Sequence, residues 1–153
     1  MSARQAVIAA FVTRVAAIAV ANGYQTNAGL TLLVGETPEL GPDDPTAAIA
    51  LMVRDDVPTD QSGFDGSGGL TVTVLPIDVQ ALARADQTQP WLTIEAVIAD
   101  IRRAIESGDR GLDGLLTTAL VRGRTRALPR ETGATTIGAG VEYRATFAEG
   151  WAE

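Results

Sequence analysis

The densest chemistry in the chain is basic. Arg122, Arg124, Arg126 and Arg130 stand in the stretch VRGRTRALPRE, which closes on Glu131. Alternate residues of an extended backbone share a face, so the first three are expected on one side of a strand. A row of guanidiniums grips carboxylates or phosphates through forked hydrogen bonds. The same row also guards a sheet edge against aggregation. The acids gather elsewhere, in DDVPTDQSGFDGSGG, with Asp55, Asp56, Asp60 and Asp65 around a single aromatic, Phe64. Calcium loops place their oxygens at alternate positions and finish with a bidentate acid. Neither this run nor Asp43-Asp44 has that spacing, so no metal site is expected. The acids read as solvated loop residues, or as a contact surface for the arginines of a neighbouring copy.

Other chemistry is excluded by what the chain lacks. It has no histidine and no cysteine. Serine–histidine and cysteine–histidine nucleophile systems are therefore impossible, as are disulfides and cysteine metal sites. Gly66-Ser67-Gly68-Gly69 precedes a strand, whereas a phosphate-cradling loop joins a strand to a helix. Gly138-Ala139-Gly140 also precedes a strand. No pair of acids stands out as a glycosidase pair. No catalytic residue and no cofactor is expected, and an aspartate-based metal enzyme is a remote alternative.

The formal net charge is −7, and all twelve basic residues are arginine. An acidic chain is poorly suited to wrapping DNA, though it can guide DNA past itself. For the arginine cluster, an acidic protein surface is a better partner than phosphate. Trp91 and Trp151 read as packing residues, and Trp151 could also anchor on a neighbour.

These residues need elements to position them. At 153 residues the chain fits one domain. Such a domain buries roughly 68–70% of its unfolded surface without staples. Val7, Phe11, Val15 and Ile18 recur at helical spacing and predict an amphipathic helix from Ala3 to Ala21, stopped by Asn22-Gly23. Arg14 interrupts its apolar run, which is also too short to span a membrane, so a domain helix in a protein made in the cytoplasm is expected rather than a signal peptide. Leu30 to Val34 predicts a strand, and Gly35 to Pro45 a turn-rich loop. Ala47 to Arg54 predicts a strand buried on much of both faces. Residues 55–69 read as a flexible acidic loop. Leu70 to Val79 predicts a strand that Pro76 limits to an edge, a bulge or an ending. Trp91, Ile94, Ile98, Ile101 and Ile105 mark the clearest helix, with Glu95, Asp100, Arg102, Arg103 and Glu106 largely on the other side and Gly108 ending it. Leu112 to Leu116 reads as a turn of helix, and Thr117 to Arg126 as a strand. In the last strand Val141, Tyr143, Ala145 and Phe147 share one face.

The order predicts a single α+β domain. Its mixed or antiparallel sheet of four to five strands carries two amphipathic helices packed on one face. The other face is left to solvent or to another chain.

This layout resembles the tail terminator, or tail completion, proteins of long-tailed bacteriophages. RQAVIAAFVTRVAAI is similar to the family's first helix, and GYQTNAGLTLLVGE to the loop and strand after it. AAIALMV then precedes a variable acidic loop, followed by GLTVTVLPIDV and the helix IEAVIADIRRAI. The ending VRGRTRALPRETGATTIGAGVEYRATFAEGW carries the resemblance furthest. It covers nearly the whole length, with no single diagnostic residue. The resemblance implies a non-enzymatic virion protein, usually a ring of six subunits, at the head-proximal end of the tail. It would stop polymerisation of the tail tube protein and meet the head–tail connector protein while DNA crosses its channel. Another head-closure or neck protein, or a non-viral α+β binding module, is the alternative. In the ring reading Arg122, Arg124, Arg126, Arg130, Glu131 and Trp151 meet a neighbour or the tube, as do Asp55, Asp56, Asp60, Phe64 and Asp65.

Overall fold

The computed structural model describes residues 1–41, 46–59 and 70–150. Helix α1 (Ala3–Ala16) opens with a capping box. Gln5 N–H donates to Ser2 Oγ at 3.1 Å, and Ser2 N–H donates to Gln5 Oε1 at 2.7 Å. Val7, Phe11 and Val15 are buried, as the periodicity requires. The helix stops five residues short of the expected Ala21 because a later turn takes over its end. Gly29 N–H donates to the Ile18 carbonyl at 2.9 Å, and Val20 N–H donates to Asn27 Oδ1 at 2.8 Å. Short 3-10 turns follow at Val20–Asn22, ended by Gly23 with φ +86°, and at Ala28–Leu30. The second turn shortens the expected strand to β1 (Leu32–Val34).

Strands β2 (Ala47–Val53), β3 (Val57–Pro58) and β4 (Leu70–Arg84) come next. Helix α2 (Leu92–Glu106) follows, then β5 (Val121–Ala127) and β6 (Thr136–Gly150). The sheet runs β1-β2-β4-β6-β5, with β3 paired to β4 beyond the end of β2. Among the described strands β1–β2 is the parallel pair and the others are antiparallel, so the sheet is mixed. The fold is α+β, with the two-residue β3 as a small addition to the expected sheet. The C-terminal strand β6 is interior, and the arginine-bearing β5 is an edge.

Strand β4 does not end at Pro76. Its pairing with β6 continues from Leu70–Gly150 to Arg84–Thr136. Pro76 is tolerated because it faces a local edge. The last β2 pair is Val53–Ile77 and the first β3 pair is Val57–Val74, so the missing N–H points at the gap between them. The Pro76 carbonyl is used there by Arg54 N–H at 3.0 Å. The start of the expected acidic loop is likewise tied down. Val57 and Pro58 pair with Val74 and Thr73, and Thr59 N–H reaches the Val72 carbonyl at 2.8 Å.

Both helices lie on one face of the sheet. Ile94, Val97, Ile98, Ile101 and Ile105 of α2 pack with Phe11 and Val15 of α1 over Leu75, Ile77 and Val79 of β4. From β6 come Val141, Tyr143, Ala145 and Phe147. Phe11 meets Tyr143 edge-on at 6.0 Å between ring centroids. Asp100 departs from the expected polar face of α2: it is buried. Its carboxylate accepts from Gln25 N–H at 3.0 Å, Thr26 N–H at 2.8 Å and Thr26 Oγ1 at 2.7 Å. The expected helical turn at Leu112–Leu116 is absent, since Leu112, Asp113 and Gly114 all have positive φ.

Candidate functional site

The expected row of arginines is broken by a β-bulge. Arg122 pairs with Tyr143 of β6, and Thr125 pairs with Val141, so β5 holds one residue more than its partner between these points. Gly123 and Arg124 occupy the irregularity. Arg122 and Arg126 therefore project from opposite faces of the sheet, and the expectation of one shared face is overturned.

Arg122 stands on the helical side. Its Nη1 reaches Glu106 Oε2 at 3.3 Å, and Tyr143 Oη donates to the same oxygen at 2.8 Å. Arg110 lies 3.7 Å from the other oxygen of Glu106. Burial, reinforced by the hydrogen bond to Glu106, pushes the Tyr143 phenol well above its ordinary value.

Arg126 stands on the helix-free side, over Asp78 of β4. The Asp78 side chain is 2% exposed. Its Oδ2 accepts from Arg126 Nη2 at 2.7 Å, Arg54 Nη2 at 3.1 Å and Gln80 Nε2 at 3.2 Å. Gly140 of β6 makes room for this cluster. A Cβ there would lie 3.1 Å from Asp78 Oδ1 and 3.6 Å from Arg126 Nη2. The guanidiniums of β5 and the end of β2 thus converge on one carboxylate of β4, with Arg126 reaching across β6 at Gly140.

Arg124 is exposed, and no ion pair or hydrogen bond holds its side chain among the described residues. Arg130 donates to the Ala134 carbonyl and closes the turn before β6. Glu131 is exposed, and its backbone carbonyl accepts from Ala134 N–H in the same turn. Asp56 is already committed to its own chain, through Arg4 at 2.6 Å. Asp55 is exposed. Asp60, Phe64, Asp65 and Trp151 lie outside the described residues, as do Asp43 and Asp44. Trp91 is 54% exposed at the start of α2, so it is not the packing residue expected from its type.

Sequence reasoning missed Asp78 and Glu106 as partners of the arginines, and Arg54 as the second guanidinium on Asp78. The one available signal was Gly140 in the small-residue run, whose missing side chain leaves room for the Asp78 carboxylate. Among the described residues, no group of three or more acids could hold a metal ion. None of their helices is long and apolar enough to cross a membrane. The chemistry this face offers is ion pairing and anion recognition. No protein-family model matches the chain, and no curated protein matches it in sequence.

Proposed function

We propose that this chain is a structural virion protein of the tail-terminator kind. Copies form a ring, with six as the expected number, on the head-proximal end of a phage tail tube. The ring stops tube growth and offers its other side to the head–tail connector, and DNA passes through its channel. It is assembled in the host cytoplasm, needs no cofactor and catalyses no reaction. The resemblance along nearly the whole sequence supports this reading, as does the single α+β domain with helices on one face of its sheet.

The observation that carries the contact surface is the division of charge on β5. Arg122 and Arg126 are held by carboxylates of their own chain, whereas Arg124 projects from the bulge of an edge strand without one. A closed ring sets one patch against a different patch on the next copy. Arg124 is then the β5 arginine free to meet a neighbour's acid, and charge complementarity of this kind sets partner and register.

The direct test is to mix the purified protein with isolated tail tubes and image the ends by electron microscopy. Caps on one end only, together with arrested tube growth, are expected. Tubes that stay bare and elongate at the normal rate would overturn the reading. Protein found only on filled heads would reassign it to head closure.

A further inference from the structure

The helix-free face of the sheet holds a cavity of about 280 Å³. That is just under the roughly 300–1,000 Å³ of pockets for drug-sized ligands. Arg54, Gln80 and Arg126 supply its polar wall, and Leu82 and Leu128 its apolar one. Gly138 and Gly140 also line it, so no side chain from those two positions fills the space. Thr37 and Pro38, from the segment after β1, close one side.

The polar wall is built, not incidental. Asp78 is buried at 2% exposure and fixes both guanidiniums through Oδ2 alone. Among the described residues its Oδ1 has no hydrogen-bond partner, and neither does the buried Arg126 Nε. Arg54 and Arg126 remain 50% and 40% exposed, so each keeps N–H groups for a further acceptor. Arg54 and Arg126 are the charged residues of the cavity lining, and the Asp78 carboxylate between them offsets one of their two charges, while Glu142, cross-strand from Asp78, stands outside the lining. The remaining charge matches a singly charged carboxylate better than a doubly charged phosphate. The leucines beside it suit a short apolar stem.

We propose that this cavity binds a carboxylate carried on a short aliphatic chain, with Arg54 and Arg126 holding the acid and Leu82 and Leu128 holding the stem. A free small organic acid has this chemistry, and so does an acidic side chain of a second copy. The site does not depend on the ring reading and can stand if that reading fails.

Sodium butyrate is the probe, titrated into the intact protein at constant ionic strength. NMR signals of the Arg54 and Arg126 Nε–H groups and of the Leu128 methyls report the site. Saturable shifts at these three residues are expected, with Arg124 unmoved and inorganic phosphate binding more weakly. Arg54→Gln should weaken binding about tenfold or more, the scale of a lost charge-assisted hydrogen bond. Gln80 and Arg126 still hold Asp78 in that variant, and its thermal unfolding checks that it folds. Arg126→Lys keeps the charge and loses the fork, so it should weaken butyrate several-fold. Shifts that never saturate, or that persist unchanged in Arg54→Gln, would overturn the proposal. Light scattering on the same samples separates the two sources. If butyrate disperses self-association, the occupant is a neighbour's acidic side chain. If the mass is unchanged while butyrate saturates, the site serves a free acid.

Discussion

Asp100 and Tyr143 show how single polar groups fix this core. The Asp100 carboxylate receives two backbone N–H groups and one hydroxyl from Gln25 and Thr26. It thereby pins the segment between α1 and β1 onto α2. Asparagine has nearly the same shape but turns an N–H₂ toward donors. Asp100→Asn should therefore cost about 2–3 kcal/mol, the scale of hydrogen bonds to a charged group. The check is the urea midpoint at unchanged slope. Tyr143 gives a pH dependence. Its folded-state value is raised by burial and by Glu106, while the unfolded phenol titrates near its ordinary value of 10.0. Above that pH the unfolded chain releases a proton that the folded chain retains. Stability is therefore fully present below about pH 10 and falls as pH rises beyond it. The chain has no lysine to blur this window. Melting temperatures measured from about pH 9 to pH 11 should drop more steeply for the wild type than for Tyr143→Phe.

Among the elements, those written in local periodicity were legible and those set by a distant partner were not. The isoleucines of α2 and the alternation of β6 each announce one apolar face, and both faces are buried as expected. The bulge in β5 left no such mark. An inserted residue is defined by the register against β6, and VRGRTRA reads as plain alternation. Pro76 gave a correct local signal with the wrong extent. It does mark an edge, but only the gap between β2 and β3. Asp100 looked solvent-facing because its partners lie 74 and 75 residues away. The Arg54–Asp78–Arg126 cluster was illegible for the same reason, since β2, β4 and β5 meet only through the sheet order. Gly29 is a further case of long-range constraint. A Cβ there would sit 2.3 Å from the Val15 carbonyl oxygen and 2.8 Å from that of Ile18. Backbone cannot step aside as a side chain can. Gly29→Ala should therefore destabilise by about 1–3 kcal/mol, as overpacking does, and push the 28–30 turn off the end of α1. Thermal unfolding reads the cost, and amide exchange at Gln25 and Thr26 reads the displacement.

For the whole molecule, the pairing pattern decides which charge change tests assembly and which only tests folding. Replacing both Arg124 and Arg126 with glutamate would confound the two tests. Arg126 is bound to Asp78, whereas the Arg124 side chain has no ion pair or hydrogen bond among the described residues. Arg126→Glu would set a second carboxylate against buried Asp78, and loss of assembly would then follow from loss of the fold. Arg124→Glu disturbs no contact among the described residues, and surface changes of this kind cost within about ±0.5 kcal/mol. The single variant should keep the wild-type melting temperature. In the ring reading it should also lose self-association, or lose capping if the ring closes only on a tube. Light scattering behind a sizing column, across concentration and salt, reads the first, against a monomer of 15.9 kDa. A wild-type species that loosens as salt rises, alongside a monomeric Arg124→Glu, is the expected pair of results. A wild type that stays monomeric places the tube end in control of ring closure, and the same two proteins are then compared by capping. If Arg124→Glu assembles and caps as the wild type does at physiological salt, the arginine edge is not the contact between copies. The exposed guanidinium then serves only to keep a bare β5 from pairing with stray strands.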